Sequence, residues 1–517
     1  MNGWGRTAAA AATATALAVI TGATVRPFPA LAALQPLGGY AAAWAVFAAG
    51  AWLVLGVAPR RAVPVILLGG IVIQLAAITA APAGSDDLYR YIWDGRVQAA
   101  GIDPYRYPPD SARLAFLRDP FLWPAAGPYC VGDPAPPLAL TPAGSLVPAA
   151  PPAVTPPPAV PPGCTRINRP RVHTIYPPVA EAYFTVVAEA APAGSGTLPI
   201  QAAGALCAIA TAVLLAAGLA RLGRDPRLAV LWAWCPVTAL QAGNGAHVDV
   251  LAAFLTAAAL LCLARPGSRR ALAGGLLLGL AIATKINPVL AVPAALRRRP
   301  VLASPALAVP AALRRRPMLA GPVQAGPALA GPVLVGTAVA AATAAVYLPH
   351  LLAVGGAVIG FLPGYLAQDG YASGGRFELL SLAVPGSWAT LAAVAVLAVT
   401  ALAVWRRADP AQPWRGAVIM TGVALAVTTP SLLWYSTLLV LLVALDGRAE
   451  WLALAAARYL TPVHPLPGLT LPWAGQLGYA AALAVVAAVT AVRLARARAA
   501  VTSAATAQRR TLTSAIG

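Results

Sequence analysis

Charge is scarce in this chain. Asp, Glu, Lys and Arg make up 10% of its 517 residues, and Lys285 is the only lysine. A soluble globular chain carries about 25% charged residues, so an ordinary water-soluble domain is excluded. The chain has no G-x-x-x-x-G-K-[ST] loop to cradle a nucleotide phosphate, no Cys/His set with zinc spacing and no G-x-S-x-G elbow to present a serine nucleophile. It therefore gives no sign of using ATP or a nucleotide sugar. Strands of alternating polarity are also missing, which excludes a membrane β-barrel.

What remains is apolar and helical in pattern. Hydrophobic residues are 59% of the chain and the mean hydropathy is +0.73. Runs of roughly 20 apolar residues, the length that crosses a bilayer core, recur throughout. The pattern predicts an all-α polytopic membrane protein of about twelve spans, at 8–25, 38–57, 62–82, 198–220, 228–242, 248–264, 328–347, 388–405, 416–430, 432–446, 449–463 and 476–492. A further short pair, 271–284 and 286–296, breaks at Asn287-Pro288. It reads as a re-entrant hairpin or as one kinked crossing. The first run is read as a span because more spans follow at once; a cleaved signal peptide is the alternative.

The net charge of +20 comes almost wholly from arginine. An arginine-for-lysine and Ala/Pro bias of this kind points to a high-GC bacterial genome. The arginines sit in short blocks between spans, at Arg60-Arg61, Arg221–Arg227, Arg265–Arg270, Arg297–Arg299, Arg314–Arg316, Arg406–Arg415 and Arg493–Arg498. Such blocks fix orientation and meet anionic lipid; nucleic acid is the wrong partner for them. With these blocks cytoplasmic, 83–197, the turn near 242–248, 348–387 and 464–475 lie outside a plasma membrane.

The chain then divides into three spans (1–82), an extracytoplasmic loop (83–197), spans and the re-entrant pair (198–296), an Arg-rich loop (297–327), C-terminal spans (328–492) and a tail (493–517). Within the outer loop, 125–165 is a Pro/Ala-rich insert expected to be extended. Cys130 and Cys164 bracket it, and an oxidising compartment predicts a disulfide between them; two free thiols are the alternative. Cys207, Cys235 and Cys262 read as small buried apolar residues. Residues 291–300 recur at 308–317, a tandem duplication that pads the Arg-rich loop.

Polar residues with chemistry gather in a few places. Ser85-Asp86-Asp87-Leu88-Tyr89-Arg90-Tyr91-Ile92-Trp93-Asp94 leaves a span with two adjacent carboxylates. In a helix, Asp86, Arg90 and Asp94 share one face, so Arg90 can pair with both. A partly desolvated carboxylate there suits a general base, while an interfacial aromatic belt is the plain alternative. Arg169, Arg171 and His173 form a basic stretch before Tyr176-Pro177-Pro178. Gly243-Asn244-Gly245-Ala246-His247-Val248-Asp249 places His and Asp at membrane depth, where such groups are costly and usually functional. Lys285, at a helix break, can hold a phosphate or snorkel to the surface. Tyr365, Arg376, Trp434 and Tyr435 can line an outer cavity or simply anchor the interface.

The order of these motifs resembles the GT-C superfamily of polytopic glycosyltransferases, in particular the bacterial polyprenyl-phosphate-mannose-dependent mannosyltransferases. The matching pieces are Ser-Asp-Asp-Leu-Tyr-Arg-Tyr-Ile-Trp-Asp-Gly-Arg at 85–96 with its continuation to Tyr107, Leu-Arg-Asp at 117–119, Thr-Ile-Tyr-Pro-Pro at 174–178, Trp234-Cys235-Pro236, the Gly245–Asp249 stretch, Lys285-Ile286-Asn287-Pro288 and Trp434-Tyr435. The resemblance implies a polyprenyl-phosphate sugar donor, a glycolipid or glycan acceptor, an outward-facing cavity and inversion by one carboxylate base. By position that base is Asp86 or Asp87, with Asp86 preferred because it lies one turn from Tyr89 and Arg90. Arg90, His247 and Lys285 are the expected phosphate cations. Tyr91, Trp93, Asp94, Tyr176, Asp249, Tyr365, Arg376, Trp434 and Tyr435 are expected to line the cavity. No cofactor is required, though a divalent cation is compatible with the carboxylates. Similar proteins show Asn-His-Pro where this chain has Asn168-Arg169-Pro170. A lipid-linked glycan flippase and an inactive envelope scaffold are the rival readings.

Overall fold

The computed structural model describes residues 3–26, 35–125, 129–130, 138–140, 146–148, 164–296, 330–460 and 474–514. The Arg-rich loop at 297–327 and most of the Pro-rich insert lie outside them. The described chain is helical, with only two-residue and three-residue strand pairs around the insert.

Seven helices are long and apolar enough to cross a membrane, or eight if one bent pair counts as a span. They include α1 (Gly3–Thr24), α2 (Gln35–Leu55), α3 (Pro59–Ala77), α6 (Leu198–Arg221), α10 (Ala330–Val354), α11 (Trp388–Arg407) and α14 (Ala474–Ser514), named here by their full helical extent. Between them, α4 (Asp87–Ala99) and α5 (Pro178–Ala190) lie in the first large loop. The bent pair is α7 (Pro236–Asn244) and α8 (Asp249–Leu263), turned by 120°. Shorter helices α9 (Ser268–Ile282), α12 (Pro413–Thr428) and α13 (Thr437–Asp446) complete the set.

Seven described helices meet the length and hydropathy of a span, and the expected twelve include shorter apolar segments. A hydropathy window cannot separate a lipid-facing span from a short helix that is apolar because it is buried on all sides. Every residue of α13 is buried, and α13 packs in the main core with Trp232, Trp234 and Trp414. The expected window 449–463 is a set of short helical turns as far as Leu460.

The two ends of the bundle differ in chemistry. At one end Arg227 caps the carbonyls of Leu55 and Val57 at 2.7 and 2.9 Å, and Arg224 reaches Gln412 and the Asp446 carbonyl. Arg415 and Arg448 both pair with the buried Asp446 carboxylate. The opposite end gathers the C-termini of α3 and α12, the N-termini of α4, α6 and α13, and the α7–α8 bend. The arginine blocks and the acidic-aromatic segment are thus segregated.

Helix α10 runs parallel to α9, since Gly275 faces Val335 and Ala338 while Gly279 faces Val339 and Ala342. The chain must therefore return between them. Residues 287–295 supply part of that return, with Ala294 against Gly416 and Leu296 against Gly336.

Candidate active site

The α7–α8 bend is what brings an ionisable group to this end of the bundle. Pro236 starts α7, which widens into a π-turn at Ala239–Asn244. Ala246 then takes a left-handed conformation, φ 50°. The backbone groups freed by the bend are met by side chains from neighbouring helices. Gln201 donates to the carbonyls of Asn244 and Ala80 at 3.0 and 2.9 Å. Asn244 donates to the Ala77 and Ala81 carbonyls and accepts from the Ala83 N–H at 2.8 Å. The end of α3 is thereby stapled to the bend. Gly243 is obligatory here, because a Cβ would meet the Gln74 Oε1 at 2.7 Å and Ala77 at 2.9 Å.

The staple sets Asp86 and Asp87 beside His247. Asp86 is the residue before α4, with φ −101° and ψ 8°, and Asp87 is the first residue in it. One amide holds both. Asn168 Nδ2 donates to Asp86 Oδ1 at 2.8 Å and to Asp87 Oδ1 at 2.7 Å. The Asp87 Oδ2 is 3.9 Å from His247 Nδ1, and the Tyr91 hydroxyl is 3.4 Å from the same nitrogen. His247 stacks on Trp434 with ring centroids 4.0 Å apart. Trp434 leads to Tyr435, whose hydroxyl hydrogen-bonds that of Tyr365. The Arg169 guanidinium lies 5.8 Å from the Tyr365 ring centre, next in sequence to Asn168. Asp87, Asn168, Arg169, Tyr365, Tyr435, Trp434 and His247 thus close a ring of contacts drawn from five segments.

Lys285 joins from the far side. Its Nζ is 3.1 Å from the Asp249 Oδ2, and it sits 5.6 Å from the Tyr176 ring. The Asp249 side chain is fully buried and makes no hydrogen bond besides this ion pair.

Three expected members, Arg90, Trp93 and Asp94, lie elsewhere. Arg90 does not bridge Asp86 and Asp94. It gives its Nε to both Asp94 oxygens at 2.9 Å and its Nη1 to the Val172 carbonyl at 3.2 Å. Asp86 precedes the helix, so it does not share the helical face that the spacing assigned to it. Trp93 packs into a separate apolar cluster with Val97, Leu114, Leu122 and Ile167. The remaining expected residues, Tyr91, Tyr176, His247, Asp249, Lys285, Tyr365, Trp434 and Tyr435, fall in or directly behind the ring. Arg376 lies next to it, 3.3 Å from the Ser431 hydroxyl.

Asp94 belongs to a second polar cluster that sequence reading missed. Glu181, on α5, is buried; it accepts from Thr174 at 2.7 Å and from Gln98 at 2.9 Å, and lies close enough to Asp94 for the two carboxyls to act on each other. A glutamate inside an apolar helix, at membrane-flanking depth, was the available signal. Burial holds the Glu181 carboxyl well above its ordinary value of 4.5, and the Asp94 charge adds to the rise. Asp94 is raised by burial as well, against the pull of Arg90. A carboxyl with a raised folded pKa binds its proton more tightly when folded. Its contribution to stability is complete below the unfolded value and is lost as pH rises through the folded one. The melting temperature should therefore fall as pH rises above about 4.5. Glu181→Gln should flatten that slope, because an amide donates and accepts without needing a proton. An unchanged slope in the variant, measured by thermal unfolding across pH, would contradict this.

The chain has five cysteines. Cys207, Cys235 and Cys262 are free thiols, and Cys164 is disulfide-bonded. The backbone of Cys130 lies directly opposite Cys164 in an antiparallel pair; its side chain lies outside the described residues.

Among the described residues, no group of three or more His, Cys, Asp or Glu side chains is placed to hold a metal ion. The Oδ1 atoms of Asp86 and Asp87 both accept N–H from Asn168, so a cation between them requires Asn168 to turn its oxygen inward. No protein-family model, curated protein or solved structure matches the chain.

Proposed function

We propose that this chain is an integral membrane glycosyltransferase of GT-C-like architecture, in which α8, α12 and α13 cross beside the seven long helices. It transfers a sugar, mannose by resemblance, from a polyprenyl-phosphate donor to a glycolipid or glycan acceptor on the outer side of the membrane. The observation that carries the reading is the Asn168 grip on Asp86 and Asp87, set against His247 at a helix bend.

Asp87 is the better base of the two. Its Oδ2 faces His247 within the ring, whereas the helical neighbourhood that favoured Asp86 is not formed. In the reaction the acceptor hydroxyl gives its proton to Asp87 as its oxygen attacks the anomeric carbon. The bond from that carbon to the phosphate oxygen breaks, and the polyprenyl phosphate leaves with the electron pair. One displacement inverts the anomeric centre, which needs a base and no nucleophilic residue. The leaving phosphate needs cationic or hydrogen-bonding support.

A flippase would place polar groups near the midplane of several spans. Here the polar groups that gather on the Asp pair do so at one end of the bundle, which favours the enzyme. The test is to supply the purified chain, in proteoliposomes, with polyprenyl-phosphate mannose labelled in the sugar. Label should move covalently to an acceptor lipid. Label that changes leaflet without changing its lipid would support the flippase instead.

Asn168 has a directed role in this reading. Without its amide, two adjacent carboxylates lose the donor that fixes them. A hydrogen bond to a charged group contributes about 1.5–3 kcal/mol, so Asn168→Ala should slow transfer roughly 10- to 100-fold. Transfer at the wild-type rate by a folded Asn168→Ala protein would remove Asn168 from the site.

A further inference from the structure

We propose that Arg376 and Arg169 together seat the anionic phosphoester of the substrate, which rests on the reading above of a lipid-phosphate donor at this site.

Arg376 is 7% exposed, yet most of its guanidinium is idle. Nη1 reaches the Ser431 hydroxyl at 3.3 Å, while Nε and Nη2 have no hydrogen-bond partner. The nearest carboxylate, Asp369, is 3.7 Å from Nη1, beyond hydrogen-bonding range. A buried donor left unmade is costly, and a guanidinium with two free N–H positions matches two oxygens of a phosphate.

The position is fixed by the backbone. Thr429 ends α12 in a left-handed conformation, φ 38°, which a threonine adopts only under constraint. Its hydroxyl donates to the Arg376 carbonyl at 3.0 Å and accepts from the Glu378 N–H at 3.1 Å. The Arg376 N–H in turn donates to the Gly370 carbonyl at 3.3 Å. The loop that carries the arginine is therefore tied to the end of α12.

Arg169 stands on the other side of Tyr365. It is exposed and holds φ 48°, a strained conformation for arginine. It makes no ion pair among the described residues. Tyr365 and Tyr435 lie within electrostatic reach of Arg376, Tyr365 also meets Arg169, and the contacts run on through Trp434 to His247 and Asp87.

Charge decides which cations are free for this task. Arg90 is matched by Asp94 and Lys285 by Asp249, so two of the three expected phosphate cations already have a carboxylate partner. Among the described residues, Asp369 is the one carboxylate within 4.0 Å of either guanidinium, which leaves Arg169 without an ion-pair partner. A phosphodiester carries one negative charge, as does the phosphate of a polyprenyl-phosphate sugar.

Isothermal titration of the full chain in detergent micelles tests the seat with three probes: farnesyl methyl phosphate, farnesol and dimethyl phosphate. The wild type should bind the farnesyl phosphodiester at least about 10-fold more tightly than farnesol. Arg376→Gln and Arg169→Ala should each weaken the phosphodiester by about 10- to 100-fold and leave farnesol unchanged. Arg169 is exposed, so its variant separates binding from folding. Competition by dimethyl phosphate would identify a soluble phosphoester as sufficient; its failure to compete would identify the lipid form. Wild-type affinity in both arginine variants, or equal affinity for farnesol, would overturn the proposal. Sugar transfer by Arg376→Gln at the wild-type KM would remove the seat and leave the enzyme reading standing. Arginine-dependent binding by a chain that transfers no sugar would do the reverse.

Discussion

Lys285→Met should destabilise the protein by about 3–5 kcal/mol, the usual cost of removing one partner from a buried ion pair. Lys285 is the only cation within ion-pair distance of Asp249 among the described residues, at 3.1 Å. The Asp249 side chain is fully buried, and neither oxygen has a hydrogen bond to fall back on. The variant leaves a bare carboxylate at the N-terminus of α8, at the bend that also positions His247. The helix N-terminus favours the anion by only about 0.3–1 kcal/mol, too little to replace the lysine. Lys285→Met with Asp249→Asn should recover most of the loss, since both charges are then gone. Thermal unfolding in detergent measures both variants. Equal melting of wild type and Lys285→Met would show that Asp249 is compensated in another way.

Asp87→Asn should lower sugar transfer by about 10²–10⁴-fold, the range for loss of a general base. The substitution keeps the shape and an oxygen for the Asn168 amide, so the N-terminus of α4 should stay in place. It removes the one group on the ring that faces His247 and can accept the acceptor hydroxyl's proton. Donor affinity should change little, because the proposed phosphate seat lies across the aromatic stack at Arg376. A fall in kcat with KM nearly unchanged is therefore expected from steady-state transfer. Asp86→Asn should have the smaller effect, since Asp86 precedes the helix and the carboxylate oxygen 3.9 Å from His247 belongs to Asp87. A larger loss in Asp86→Asn would restore Asp86 as the base.

The sequence made the members of the site visible because polar residues are rare in it. In a chain with 10% charge, Asp86, Asp87, His247, Asp249 and Lys285 each stand out as costly at membrane depth, and the structure brings them together. Their pairing was not legible. The i, i+4 spacing offered Arg90 to both Asp86 and Asp94, and nothing in the spacing shows that α4 begins only at Asp87. The role of Asn168 was not legible either, because it depends on a contact between residues 81 positions apart. The Gln201 and Asn244 braces were missed for the same reason, although buried amides in apolar helices are a usable warning. The helical character followed from composition alone. The number of crossings is less legible: seven described helices are long and apolar enough to span, and the hydropathy of a short helix such as α13 reports burial inside protein as readily as burial in lipid.

The central claim is a sugar transfer driven by a carboxylate of the Asp86–Asp87 pair. Its most direct test is transfer from polyprenyl-phosphate mannose in proteoliposomes by wild type, Asp86→Asn and Asp87→Asn, with the anomeric configuration of the product determined. The wild type should transfer the sugar with inversion, and Asp87→Asn should lose that transfer. Full activity in both variants, or retention of configuration, would contradict it.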